Sequence, residues 1–274
     1  MFRSKDCIQH RGPGFSVFFF SPFGVSGRSM NSDDARWTLR KLGFAYAFIP
    51  QTSRGALARV VSPQYEYCCM TPVNEFPRSQ ATFAEAAFIN KVDEGAAAFY
   101  GGCILGVAVS GKHQLYWHAG RDSLMDFARA YEKWCADEHT PYGIEYPGEP
   151  RQHESILHAI AHAFAERDVP AANVRLFCYG CIDPGNFMHS PEDRVHGTRN
   201  RIWLRYMQQR GWAGAVSSGY KLDLCALIGI QAAQIGMLVG DMRYLPSSDA
   251  FPTTRHPDPE KKDRRSLGVF IREA

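Results

Sequence analysis

The block between Ala97 and His118 constrains this chain more than any other. Ala97–Tyr100 and Ile104–Val109 are apolar, Ser110-Gly111-Lys112 has the composition of a tight turn, and Gln114–His118 alternates apolar and polar residues. That pattern predicts a β-hairpin. Cys103 stands at the start of one strand and His118 at the end of the other, so a hairpin lays the two ends side by side. The chain is thereby committed to a sheet that brings one thiol close to one imidazole.

The chemistry open to such a pair follows from its groups. An imidazole beside a thiol stabilises the thiolate, which makes the sulfur a nucleophile. Gly101 and Gly102 before the cysteine let a substrate approach the backbone closely. The same two side chains can also serve as two ligands of a zinc site with an open position. The packing alternative treats Cys103 as core and His118 as a strand-end residue.

Other elements alternate less regularly. Phe15–Phe20 and Gly268–Ile271 read as strands, as do Ala45–Pro50, Ala56–Val61 and Asn173–Tyr179. Helices are expected over Asp33–Leu42 with Ser32 as cap, Asp122–Cys135, His153–Arg167, Arg199–Gln209 with Thr198 as cap, and Leu222–Gly236. Phe251–Arg265 reads as a polar, proline-interrupted loop. The mixture predicts an α+β fold, with a largely antiparallel sheet core flanked by helices, as one domain over residues 1–274.

Composition excludes several classes. A net charge of +3 over 274 residues gives no concentrated basic face for nucleic acid. No stretch approaches the roughly 20 apolar residues that span a bilayer, so no membrane partner is expected. Met1–Gly14 lacks the apolar core of a secretory signal, and a cytoplasmic protein is expected. The eight cysteines are then read mostly as buried thiols. Cys178-Tyr-Gly-Cys181 is a CxxC without a second copy, for which strand-end packing competes with a redox or zinc role. His158 and His162 share a helix face with His153 nearby, but Ala159 stands where a zincin helix needs Glu. The run Lys261-Lys262-Asp263-Arg264-Arg265 reads as solvated surface with room for an anion.

The ordered motifs resemble those of the YfiH family, also called the laccase-domain or polyphenol-oxidase-like family, which is related in fold to cysteine deamidases of the cytotoxic-necrotizing-factor type. The resemblance runs through Gly24-Val25-Ser26, the helix from Asn31, Gln51–Gly55, Gly102-Cys103, His118-Ala119-Gly120-Arg121, Tyr179–Pro184, Leu222-Asp223-Leu224, and Arg264-Arg265 with Gly268. It covers nearly the whole chain. Arg54 stands where the family has a zinc-binding histidine, Gly102 replaces an acid, and the tryptophan after His-Ala-Gly is missing.

The resemblance implies an enzyme that cleaves a C–N bond in a small purine-nucleoside-like substrate, by phosphorolysis or hydrolysis, with zinc as a possible cofactor. Cys103 and His118 would be nucleophile and base, or two metal ligands with the third unknown. Arg54, Arg121 and Arg265 would hold phosphate or another anion. Multicopper oxidation is not expected, because the chain lacks His-x-His clusters. Losing one zinc ligand leaves two other readings. One is a metal-free cysteine amidohydrolase or glutamine deamidase acting on a protein or small-molecule amide. The other is an inactive relative serving as a binding module. Asp183, Asp223 and Asp263 are candidates to orient the histidine.

Overall fold

The computed structural model describes residues 7–21, 31–51, 57–66, 69–78, 84–138, 144–245 and 265–273. The chain opens with β1 (Cys7–Gly12), β2 (Phe15–Phe20), α1 (Ser32–Lys41), β3 (Tyr46–Phe48) and β4 (Met70–Pro72). The central segment holds β5 (Ala86–Phe88), β6 (Glu94–Tyr100), β7 (Ile104–Ser110), β8 (His113–Ala119), α2 (Arg121–Leu124) and α3 (Phe127–Asp137). There follow α4 (Ile156–Ala165), β9 (Arg175–Cys181), α5 (Gly197–Gln209), β10 (Val216–Ser217), β11 (Lys221–Leu222), α6 (Leu224–Ile235), β12 (Leu238–Tyr244) and β13 (Ser266–Arg272).

Two sheets form the core, in the orders β1-β2-β13-β6-β3-β4 and β12-β9-β7-β8-β5. Pairing is antiparallel except for β3 with β6 and β12 with β9. The expected α+β class, largely antiparallel, is what is found.

The sheets stack face to face. Phe15, Val17, Phe19 and Phe270 of the first sheet meet Leu105, Val107, Tyr116, Phe177 and Tyr179 of the second. The outer face of the first sheet carries α1 through Ala35 and Leu39. The outer face of the second, with Ile104, Ala108, Leu115 and Trp117, packs on Leu157 and Phe164 of α4, Trp203 of α5 and Leu227 of α6. Strands covered on both faces need no polar side, which explains the nearly unbroken apolar run of β7. Each such buried side chain stabilises the fold by about 1.5–3 kcal/mol before entropy is counted. Gly106 allows one tight fit: a Cβ there would collide with the ring of its cross-strand partner Trp117.

Several boundaries differ from expectation for local reasons. Asn31, not Ser32, caps α1, accepting from the amides of Asp33 at 2.8 Å and Asp34 at 2.9 Å, while Asp34 accepts from Asn31 N–H. The helix expected over Asp122–Cys135 breaks at Asp126. That residue is extended, and its carboxylate caps α3 and accepts the Arg151 amide at 2.7 Å. In α4 the helix starts only at Ile156, after Ser155. His196, not Thr198, precedes α5 as its capping residue, and Asp193 accepts the amides of Val195 and His196. The strand expected at Ala56–Val61 is reduced, within its described residues, to one bridge between Val60 and Ala86. Among the described residues no helix is long and apolar enough to cross a membrane.

Candidate active site

The hairpin forms as its sequence predicts. β7 and β8 pair with Ile104 opposite Ala119 and Leu105 opposite His118. Cys103 therefore comes level with Gly120, where an added Cβ would lie 3.8 Å from the Cys103 sulfur. Gly102 leads in with φ +107, a conformation that L side chains rarely adopt. Its carbonyl accepts the Ile182 amide at 3.2 Å, which ties the turn to the end of β9.

On the other side of β8, β5 pairs Ala86 with Trp117. This sets Glu85 beside His118, and the Glu85 carbonyl accepts the His118 amide at 2.9 Å. The Glu85 side chain is fully buried. Its Oε1 accepts from Ser123 Oγ at 2.6 Å and its Oε2 from the Ala58 amide at 2.8 Å. The same Oε1 lies 3.6 Å from His118 Nδ1, within ion-pair range though long for a hydrogen bond. Nδ1 is itself buried and has no closer partner.

Burial opposes a charge on His118, but the neighbouring Cys103 sulfur and the Glu85 carboxylate outweigh it and push its pKa up to about 10. The imidazole is thus held as a cation between a sulfur and a carboxylate. That is the electrostatic arrangement of a cysteine nucleophile with its acid–base partner and an orienting acid.

The three side chains face a cavity of about 290 Å³ that Gly101, Gly102, Arg121, Ile182, Phe187 and His189 help to line. Cys103 is partly accessible there. Phe187 and His189 form an edge-to-face aromatic pair, centroids 4.5 Å apart. Of the three arginines expected to hold an anion, Arg121 lines this cavity, with its Nε donating to Asp122 Oδ1 at 3.1 Å. Arg265 stands just before Ser266, which pairs with Tyr100 of β6, but it does not line the cavity. Arg54 lies outside the described residues, as do Gly24-Val25-Ser26 and Arg264.

Among the described residues no three His, Cys, Asp or Glu side chains are arranged to hold a metal ion. Residues 52–56, which include Arg54, contain none of those types. Both oxygens of Glu85 already have donors.

The acid beside His118 is Glu85, not one of the three aspartates expected to orient it. Asp183 instead caps a turn through the Gly185 amide at 2.7 Å, and Asp223 caps α6 and accepts from Tyr244. Asp263 lies outside the described residues. The available signal was a lone acid inside the apolar run Phe83-Ala-Glu-Ala-Ala-Phe88, which predicts a buried carboxylate in need of a partner.

The CxxC cysteines pack in the core. A register shift in the β9–β12 pairing falls between the partners of Tyr179 and Cys181. Both sulfurs join the apolar cluster behind the second sheet, with Cys225 of α6. Burial pushes the Cys178 thiol up, and contact with Cys225 together with burial does the same for Cys181. His162 of α4 and His153, which precedes that helix, do not line the Cys103 cavity: their rings lie 5.1 Å apart, and His162 faces Glu166 at 3.5 Å.

Solved structures share this architecture. The YfiH protein of Bacillus licheniformis, described as hypothetical, superposes with a TM-score of 0.60 at 12% identity, covering 95% of this chain and 93% of that one. The fold is YfiH-like. A Neisseria meningitidis protein of the family DUF152 gives 0.57 at 11% identity, over 98% of this chain and 100% of its own. YlmD from Geobacillus stearothermophilus gives 0.56 at 12%, over 95% and 93%. No protein-family model and no curated protein matches the sequence. In this YfiH-like frame Cys103 and His118 lie at the end of the second sheet, beside the segment 182–189 that follows β9.

Proposed function

We propose that the chain is a cysteine hydrolase that cleaves the C–N bond of a carboxamide. The observation that carries this reading is the buried Glu85 facing a His118 that in turn contacts the cavity-lining Cys103. The thiolate of Cys103 attacks the amide carbonyl and forms a C–S bond. His118 gives its proton to the departing nitrogen as the C–N bond breaks, and ammonia or an amine leaves a thioester behind. His118 then takes a proton from water, which attacks the thioester. The carboxylic acid departs and the thiolate returns. Glu85 keeps the imidazole oriented and offsets its charge throughout. No step needs a metal.

The test is ammonia release from glutamine peptides and small primary amides, together with iodoacetamide labelling. Turnover lost in Cys103→Ala, and wild-type labelling of Cys103 slowed in His118→Ala, are expected. A Cys103 that iodoacetamide labels no faster than free cysteine overturns the reading, and with no turnover it leaves a binding module.

A second reading, phosphorolysis or hydrolysis of a purine nucleoside, is favoured by one feature. The Phe187–His189 pair offers an aromatic wall beside Arg121, suited to a flat base and an anion. Phosphate-dependent release of base from adenosine or inosine would distinguish it.

A further inference from the structure

The catalytic cavity is small, and it adjoins a larger one of about 670 Å³. Asp122 and Leu57 line both. Asp122 Oδ1 faces two guanidinium groups, Arg121 at 3.1 Å and Arg199 at 3.5 Å. Arg121 lines the catalytic cavity and lies over the Trp203 ring at 5.3 Å, whereas Arg199 lines the larger cavity and lies over Phe127 at 4.5 Å. A guanidinium stacked on a ring keeps its N–H edges for in-plane partners. Arg199 Nε is buried and has no such partner, although 40% of the side chain is accessible.

The other arginine of the larger cavity is less available: its Nε is likewise buried without a hydrogen-bond partner, but only 18% of its side chain is accessible. Arg151 donates to the carbonyls of Asp122 at 2.7 Å and Glu154 at 3.3 Å, and so holds its own loop. Asp126 is saturated by the amides it caps and by that of Arg151. Glu145 and Glu149 also line the cavity and are exposed. They oppose a polyanion but tolerate a single carboxylate.

We propose that Arg199 binds a carboxylate of the substrate, so that the amide cleaved at Cys103 belongs to a small molecule that also carries a carboxylate. Asp122 fixes the stacked arginine at the wall between the two cavities, and Arg199 is the residue that determines specificity. This rests on the amide-hydrolase reading for the reacting group, but the anion site is separable from it.

The experiment is calorimetric titration of the Cys103→Ala protein with the monoamides succinamate, glutaramate and adipamate, and with their neutral diamides. One monoamide of matching length is expected to bind about tenfold more tightly than its diamide. Adding Arg199→Met, which keeps bulk over Phe127, is expected to abolish that preference, while Arg199→Lys retains part of it. Equal affinities, no binding of any probe, or a preference that survives Arg199→Met overturns the proposal. A preference lost in Arg121→Met but kept in Arg199→Met does so as well. Tight monoamide binding by a protein whose Cys103 is inert would sink the hydrolase reading and leave the carboxylate site standing.

Discussion

Glu85 Oε1 stands 3.6 Å from His118 Nδ1 and 2.6 Å from Ser123 Oγ, in a place closed to solvent. One carboxylate oxygen therefore serves both a hydroxyl donor and an imidazole. Glu85→Gln keeps the shape and removes the charge. It is expected to slow Cys103 alkylation, and any amide turnover, by roughly 10²-fold, with Cys103→Ala as the zero. Rates within twofold of wild type would mean that the carboxylate plays no part.

His118 also predicts how stability follows pH. Its folded pKa is raised from the ordinary 6.5 to about 10, so the folded protein holds that proton more tightly than the unfolded chain. The resulting stabilisation is fully present below about 6.5 and is lost as the pH rises through about 10. Urea midpoints should fall across that window for wild type and fall less for His118→Gln. Equal slopes in the two proteins would contradict the predicted shift.

The CxxC cysteines should be silent. Cys178 and Cys181 are fully buried with thiols pushed up, whereas Cys103 reaches a cavity. Peptide mapping after brief native iodoacetamide treatment should find Cys103 alkylated and those two unmodified until urea is added. Early labelling of Cys178 would refute their core placement.

Glu154 joins the start of α4 to α5. It accepts from Arg210 Nε at 2.6 Å and Nη2 at 2.5 Å, and also from the Tyr206 hydroxyl. Glu154→Ala strands a buried phenol and part of a guanidinium. A loss of about 1–3 kcal/mol in urea unfolding is expected, without loss of Cys103 labelling in the folded protein.

Gly106→Ala tests the close approach in the hairpin. The new methyl would meet the Trp117 ring, which is buried on every side. Overpacking of this kind costs about 1–3 kcal/mol, readable as a lower melting temperature with a changed tryptophan spectrum.

The parts of this molecule that could be read in advance are those specified locally. The hairpin carries its own turn residues and its own partner strand, so Cys103 and His118 fell into place from sequence alone, and Phe15–Phe20 matched residue for residue. Glu85 escaped because its role comes from the pairing of β5 with β8, which no neighbouring residue announces. The break at Asp126 escaped because apolar spacing continues across it. Only the Arg151 amide, 25 residues on, shows why the chain turns there. Arg199 was read as a position in a helix, since its ring partner and its ion pair lie on other elements.

The Cys103–His118 separation has a bearing on how such a molecule can change. Adding one residue within β7 or β8 would turn every later side chain of that strand to the opposite face, so the count between sulfur and imidazole is fixed by geometry. The walls supplied by residues 182–189 and by Leu224 are under no such restriction. A lineage built on this frame can exchange what is admitted to the cavity by editing those walls, and never touch the sulfur or the imidazole.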